Sequence, residues 1–326
     1  MYVQEFFYLE NKMSLIVEHL TKKYSEKTVV DDLSFQMNEH GVYALLGTNG
    51  AGKTTSIRMM LGMLAKDGGR VEWNGKPLDL GTCNVGYLAE ERGLYPKYAL
   101  MDQLMYFANL RGVTKNDAKQ RIRYWAERLE AAEYLYPAAE PGKRKKEKPK
   151  LADQLSKGNQ QKIQFMIALI SDPELLILDE PLSGLDPVNT DLFKEIIREE
   201  IAKGKYVIMS SHQMATVEEF CTDITIMNRS RAILQGHLSE IKKGYGRVNL
   251  NIKTESDITE YIGMTGARLI SRKENEYRLK VSGEEEANRL LGLLIGAGVT
   301  VITFDLSEPS LHEIFVEKVG EQNEAE

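Results

Sequence analysis

The sequence contains little cysteine, no long apolar run and no excess of basic residues. Its 326 residues include two cysteines, Cys83 and Cys221, which lie far apart, indicate neither a disulfide framework nor a metal site, and fit a reducing cytosol. No run of about 18 apolar residues is present, so the sequence predicts no membrane-spanning helix. The net charge of −6 gives no electrostatic support for a surface that binds DNA or RNA.

The first residues also lack the features of a secretory signal. They carry Glu5 and Glu10, have no basic start and no small-residue cleavage site, and Met13 directly precedes the first strand-like run. We therefore expect residues 1–12 to form an extension outside the fold. The remaining length exceeds that of one small domain. A change in the pattern of predicted strands and helices near residue 236 predicts one domain at 13–235 and another at 236–326.

The first predicted domain has the sequence pattern of an α/β fold. Strand-like runs near its start predict an antiparallel β subdomain, and strands alternating with helices near its end predict a largely parallel sheet. Helical periodicity between them predicts an inserted α-helical subdomain over about residues 97–155. Within it, residues 137–150 form a proline-rich basic linker, which we expect to be a solvated loop or, alternatively, a contact with anionic lipid or a partner.

The second predicted domain, residues 236–326, alternates apolar and polar residues in three short runs separated by helical stretches. This pattern predicts a small α+β domain, for which a ferredoxin-like arrangement is one candidate.

Residues 47–55 match the phosphate-binding pattern G-x-x-x-x-G-K-[ST]. Residues 42–46 predict a buried strand before the loop, and residues 53–64 predict a helix after it. Glycines let backbone N–H groups curve around an anion, and the helix N-terminus adds the positive end of its dipole. The expected nucleotide contacts are Gly47, Thr48, Asn49, Gly50, Ala51, Gly52, Lys53, Thr54 and Thr55. Lys53 should reach the β- and γ-phosphates and the Thr54 hydroxyl should hold Mg²⁺, the alternative being a glycine-rich turn with a solvated lysine.

Two acids end the buried strand predicted at residues 175–178. Asp179 can hold Mg²⁺ and Glu180 can accept a proton from an attacking water, although a strand that merely ends in two acids is the alternative. Ser156 is a good N-cap for the following helix, and with Gly158 it predicts a second anion site at a helix start. A second phosphate-facing helix is best explained if it serves the nucleotide of another subunit.

Together with Ser210-Ser211-His212, these motifs resemble the ATP-binding subunit of a bacterial ABC transporter, over about residues 14–235. The C-terminal stretch is similar to the accessory domain of export-type ATPases, including the sodium-efflux group. The resemblance implies a P-loop NTPase fold and assigns further roles. Tyr24 would stack on adenine, with a core or surface tyrosine as the alternative. Ser156 and Gly158 would contact the γ-phosphate of the opposite subunit, His212 would hydrogen-bond that phosphate, and Asp186 would cross the dimer interface.

The chain departs from the family pattern at two places. Lys157 and Asn159 stand where the signature motif usually has glycine and glutamine, which we interpret as variation among export-type members. Glu90 stands where the family normally has a glutamine that touches Mg²⁺ or water. A carboxylate there can still ligate Mg²⁺, but it adds negative charge near a triphosphate. Residues 92–95 look like the segment that meets the membrane permease.

The sequence therefore predicts an ATP- and Mg²⁺-dependent ATPase that closes as a homodimer around two ATP. It would drive export through a separate integral-membrane permease, from the cytoplasmic face of the membrane and without nucleic acid. One alternative is a soluble ABC ATPase acting on ribosomes or nucleic acid. Another is a regulatory module that binds nucleotide without hydrolysing it. Nothing in the sequence names the cargo.

Overall fold

The computed structural model describes residues 14–91, 93–136 and 149–325. The predicted extension at 1–12, residues 137–148 of the basic linker and Arg92 lie outside the described residues. The chain divides into two compact units, one containing residues up to 213 together with 219–235, and the other containing residues 214–218 and the chain from 236 onwards. No helix of the described part has the length and apolar character that a membrane crossing requires.

In chain order, the strands and helices are β1 (Leu15–Tyr24), β2 (Lys27–Met37), β3 (Gly41–Gly47), α1 (Lys53–Met60), β4 (Gly68–Trp73), β5 (Lys76–Pro77), β6 (Val85–Leu88), α2 (Leu100–Leu110), α3 (Lys115–Arg128), α4 (Ala132–Leu135), α5 (Lys157–Leu169), β7 (Leu175–Asp179), α6 (Pro187–Ala202), β8 (Tyr206–Ser211), α7 (Met214–Glu218), β9 (Asp223–Asn228), β10 (Arg231–His237), α8 (Leu238–Tyr245), β11 (Asn249–Thr254), α9 (Thr259–Gly263), β12 (Arg268–Lys273), β13 (Glu276–Lys280), α10 (Glu284–Gly296), β14 (Val301–Ser307) and α11 (Leu311–Ala325).

A six-stranded sheet in the order β10-β9-β3-β8-β7-β6 forms the centre of the first unit. The pairs β9–β3, β3–β8, β8–β7 and β7–β6 are all parallel. Every residue of β3, β7 and β8 is buried, which explains why these strands are continuous apolar runs rather than alternating ones. Because the strands are parallel, the segments that follow β3, β7 and β8 emerge at one edge of the sheet. The candidate site lies at this edge.

A second sheet of the first unit has the order β2-β1-β4-β5, with antiparallel pairs. Helices α2, α3 and α4 follow β6 in the chain. The fold class predicted from the sequence is thus confirmed, including the antiparallel and helical subdomains. One helix differs from its prediction: α1 ends at Met60 instead of residue 64. Gly62 stops it, because its φ of 70° is left-handed and opens a turn.

The second unit contains a β11-α9-β12-β13-α10-β14 succession with the sheet order β12-β13-β11-β14. All three pairings are antiparallel, which is the ferredoxin-like arrangement anticipated from the sequence. Its core is formed by apolar residues of both strands and helices, among them Leu250, Ile252, Tyr277, Leu279, Leu290 and Leu294. Strand β12 was not predicted, since all six of its residues are exposed and it shows no buried face.

Candidate functional site

The glycine-rich loop connects the end of β3 to the start of α1, as predicted. Gly52 is the N-cap of α1 and has a φ of 108°, and Gly47 has a φ of 149°. A Cβ atom at Gly47 would lie 2.2 Å from the carbonyl oxygen of Met227, and one at Gly52 would lie 2.6 Å from that of Val29. Both positions therefore exclude any side chain, on grounds of backbone conformation and of space.

Lys53 is the first residue of α1 and is 6% exposed. Its Nζ donates hydrogen bonds to the carbonyl oxygens of Gly47 at 2.8 Å and Thr48 at 3.3 Å. The same atom lies 3.4 Å from Glu180 Oε1. The loop thus curves around its own ammonium group, which is held at the point where a phosphate would bind.

Thr54 lies between two carboxylates. Its Oγ1 is 3.2 Å from Asp179 Oδ1 and 3.3 Å from Glu90 Oε2. Asp179 ends the buried strand β7, whereas Glu90 follows β6 and is exposed. The parallel pairing of β6 with β7 brings these two acids to the same edge of the sheet.

Asp179 is 1% exposed, and burial raises the pKa of its carboxyl group above the ordinary value. Hydrogen bonds from Ser210 and Thr54 oppose this shift, while the charges of Glu90 and Glu180 add to it. Ser210 Oγ donates to Asp179 Oδ1 at 2.5 Å. Asp179 Oδ2 is buried and has no hydrogen-bond partner in the described part of the chain, so one oxygen of this carboxylate is unsatisfied.

Glu180 has a left-handed backbone, with a φ of 49°. Its N–H donates to Ser210 Oγ at 2.9 Å, which fixes the turn directly after β7. The side chain is 6% exposed, and its Oε2 lies 2.9 Å from Nδ1 of His212 and 3.4 Å from the His212 backbone nitrogen. A non-glycine residue held in this conformation between two partners is typical of a functional site.

A cavity of about 350 Å³ opens over the loop. Its lining consists of Val29, Asn49, Gly50, Gly52, Lys53, Thr54, Thr55, Glu90 and Glu180. The structure therefore brings together the loop and the three predicted acids, with Glu90 and Glu180 in the cavity lining and Asp179 against Thr54. The predicted nucleotide contacts that do not line this cavity are Gly47, Thr48 and Ala51 of the loop, together with Tyr24, Ser156, Gly158, Asp186 and His212.

Three of the residues outside the cavity, Ser156, Gly158 and Asp186, lie at two helix starts. Ser156 is the N-cap of α5 and its Oγ accepts from Asn159 N at 3.3 Å, as predicted for a capping residue. Asp186 is the N-cap of α6, and its Oδ1 accepts from Asn189 N at 2.9 Å. These hydrogen bonds hold the pKa of Asp186 below its usual value. A Cβ at Gly158 would lie 3.7 Å from Leu185 Cδ2, so the two segments are neighbours.

Tyr24 is the last residue of β1, and its side chain is half exposed. The Nζ atom of Lys22 lies 5.2 Å from the centre of its ring. An exposed aromatic face at a strand end is available for stacking on a flat ligand.

The oxygen atoms of Thr54, Asp179 and Glu90 are the hard ligands that Mg²⁺ prefers, and Asp179 Oδ2 is an unpaired buried acceptor beside them. Among the described residues, no group of three or more His, Cys, Asp or Glu side chains could hold a metal ion. The protein therefore offers only part of a coordination shell. This fits Mg²⁺ bound through one or two carboxylates and completed by nucleotide phosphates.

Two polar side chains of the site, Ser210 and Gln161, were not assigned a role from the sequence. Ser210 bridges Asp179 and the backbone of Glu180, although only its motif was recognised. Gln161 Nε2 donates to the carbonyl oxygen of Pro181 at 2.6 Å and so links α5 to the segment after β7. Parallel strand pairing, which places Asp179 opposite Ser210, is the signal that could have identified the serine.

Comparison with known proteins gives two family matches. The ABC transporter family matches residues 30–183, and the C-terminal domain of DrrA1-3-like ATP-binding proteins matches residues 236–319. The uncharacterized ABC transporter ATP-binding protein YhaQ of Bacillus subtilis (strain 168) is 40% identical over 307 residues, or 94% of this chain and 98% of that protein. The Nod factor export ATP-binding protein I of Paraburkholderia xenovorans (strain LB400) is 30% identical over 67% of this chain and 69% of its own length.

The fold is also similar to that of solved structures. A structure described as the ATP-binding subunit of an ABC transporter superposes with a TM-score of 0.62 and 27% identity, covering 71% of this chain and 92% of that one.

Proposed function

Because the chain belongs to the family of ABC transporter ATP-binding proteins, which hydrolyse ATP to drive transport, we propose that two copies of it close around two ATP molecules. Each ATP would be bound by the phosphate loop of one copy and by the Ser156–Gly158 segment of the other. Closure and reopening would act on a separate membrane permease.

One observation carries this proposal. The cavity over the loop holds Lys53, Thr54 and Glu180, but neither Ser156 nor Gly158 lines it. The start of α5 nevertheless presents a serine N-cap and a glycine, which together suit an anion. A site whose second half lies elsewhere on the same chain is completed when a second copy supplies that half.

The residues at the sheet edge that carries the loop suggest how hydrolysis would proceed. Thr54, Asp179 and Glu90 would hold Mg²⁺, which supplies charge neutralisation for the phosphates when it is bound. Glu180 would accept the proton of the attacking water, and His212, which contacts its Oε2, would orient that carboxylate and the γ-phosphate. Lys53 would stabilise the charge that develops on the phosphoryl group. Tyr24 would stack on the adenine, and Asp186 would lie at the interface between the copies.

A separate surface suits the permease. Tyr95, Tyr98 and Tyr106 are each at least half exposed and line a cavity of about 430 Å³ with Asp102 and Gln103. The buried Gln103 fixes this surface, because its amide bonds both the N–H and the carbonyl of Tyr95 and also the carbonyl of Tyr98. Clustered exposed aromatic side chains mark protein interfaces. We place the protein on the inner face of the membrane through this contact, with export as the direction.

The dependence of specific ATPase activity on protein concentration tests the shared site. If two copies build each site, phosphate release per chain should rise with concentration until the dimer saturates. A Lys53→Ala variant should show no release at any concentration and serves as the control. A specific activity independent of concentration, in a protein that sediments as a monomer, would contradict the proposal.

A further inference from the structure

We propose that Glu90 makes the affinity for nucleotide depend on a divalent cation. The negative charge of its carboxylate repels a triphosphate that carries no metal ion. This inference rests on the proposed function and concerns the same loop. Glu90 lines the cavity over the loop, and its Oε2 lies 3.3 Å from the hydroxyl of Thr54. The charge of this residue is its distinctive feature, since a glutamine oxygen could accept the same hydrogen bond without it.

The hydroxyl groups of the site supply too few hydrogen-bond donors for its carboxylate oxygens. The Thr54 hydroxyl has one hydrogen, yet it lies within hydrogen-bond distance of both Glu90 and Asp179. The Ser210 hydroxyl donates its only hydrogen to Asp179 Oδ1. At any moment Thr54 can therefore serve only one carboxylate, and Asp179 Oδ2 is without a partner among the described residues.

The charged groups of the site are also unbalanced, with more carboxylates than cations. Glu90, Asp179 and Glu180 face the loop. Among the described residues, Lys53 is the lysine or arginine that forms an ion pair with one of these acids, and it is already shared between Glu180 and the loop carbonyls. His212 also contacts Glu180, but it is charged only when protonated. Lys157 lines a second cavity beside Glu90 and Glu180, but it makes no ion pair within the described residues. The site thus carries more negative than positive charge before any nucleotide arrives.

The shortage of hydrogen-bond donors and the shortage of positive charge determine which ligands the site can bind. A metal-free triphosphate would bring further negative charge next to Glu90 and Asp179. A cation bound between the phosphates and these oxygens would remove the repulsion and satisfy Asp179 Oδ2 as well. Because Glu90 is exposed and solvent screens part of its charge, we expect a moderate effect of about fivefold on affinity.

The test is equilibrium binding of ATP to the full chain, measured by calorimetry in excess Mg²⁺ and again in EDTA. Glu90→Gln should raise the affinity for ATP in EDTA by about fivefold and change the affinity in Mg²⁺ by less than about twofold. The matched control is Glu91→Gln, which removes the charge of the adjacent residue. The Glu91 side chain is 84% exposed and lies 3.8 Å from Arg58, outside the cavity lining.

Equal metal dependence in Glu90→Gln and the unmodified protein would overturn the inference, as would an equal change in Glu91→Gln. Failure of the proposed function has a different appearance. In that case the unmodified protein would still bind ATP, but its specific ATPase activity would not depend on protein concentration.

Discussion

Replacing Ser210 by alanine should damage the site at two points, because its hydroxyl contacts both Asp179 and the backbone of Glu180. Ser210 is fully buried, accepts the Glu180 N–H and donates to Asp179. The substitution leaves the Glu180 N–H without a partner, at a cost of about 1–3 kcal/mol. It also removes a hydrogen bond to a charged group, worth about 1.5–3 kcal/mol. Allowing for partial relaxation, we expect the free energy of unfolding to fall by about 3 kcal/mol.

The loss should also depend on pH. Burial raises the pKa of Asp179 above 3.8, so its protonated form favours the fold and this contribution is lost as pH rises through the folded-state pKa. Removing the Ser210 hydrogen bond raises that pKa further. The stability deficit of Ser210→Ala should therefore be larger at pH 8 than at pH 4. Since a protonated Asp179 cannot hold a cation, Mg²⁺-dependent ATP binding should need a higher pH in the variant.

Urea unfolding at several pH values, followed by fluorescence, measures both effects. Ser211→Ala is the matched control, because Ser211 is the adjacent buried residue and its hydroxyl oxygen accepts the Gln213 N–H at 2.9 Å. We expect the control to lose about 1 kcal/mol with little dependence on pH. Equal losses in both variants, with an unshifted pH dependence of Mg²⁺-dependent binding, would refute this account of Ser210.

Two further substitutions test the loop and the proposed general base, Glu180. Gly52→Ala should abolish ATP binding in a calorimetric titration, because its Cβ would meet the Val29 carbonyl, whereas Gly62→Ala, also at positive φ but with nothing within 4 Å, should retain binding. His212→Ala should slow phosphate release by about 100-fold with little change in ATP affinity, since it removes the 2.9 Å contact that orients Glu180; release at the unmodified rate would argue against that role.

Much of the fold could be predicted because its signals are local. The buried strand before Gly47 and the N-cap at Ser156 each follow from a few neighbouring residues, and the family resemblance drawn from such motifs is confirmed. The exposed strand β12 and the early end of α1 at Met60 were missed, since sheet pairing and turn geometry decided them.

The interior of the site was harder to predict. The role of Ser210 depends on its position opposite Asp179 in the sheet, 31 residues away in the chain. The left-handed backbone of Glu180 accompanies its hydrogen bond to Ser210 and leaves no pattern in the sequence. The roles assigned to the site residues all stay predictions. Tyr24, Ser156, Gly158, Asp186 and His212 do not line the cavity over the loop.

The oligomeric state of Glu180→Gln tests the central claim most directly. This substitution removes the proposed base while keeping a side chain of similar shape, so ATP should bind and remain unhydrolysed. Sedimentation velocity with saturating ATP and Mg²⁺ should show a dimer that carries two nucleotides, and the same protein with ADP should sediment as a monomer. A Glu180→Gln protein that binds ATP and Mg²⁺ but stays monomeric would contradict the shared site.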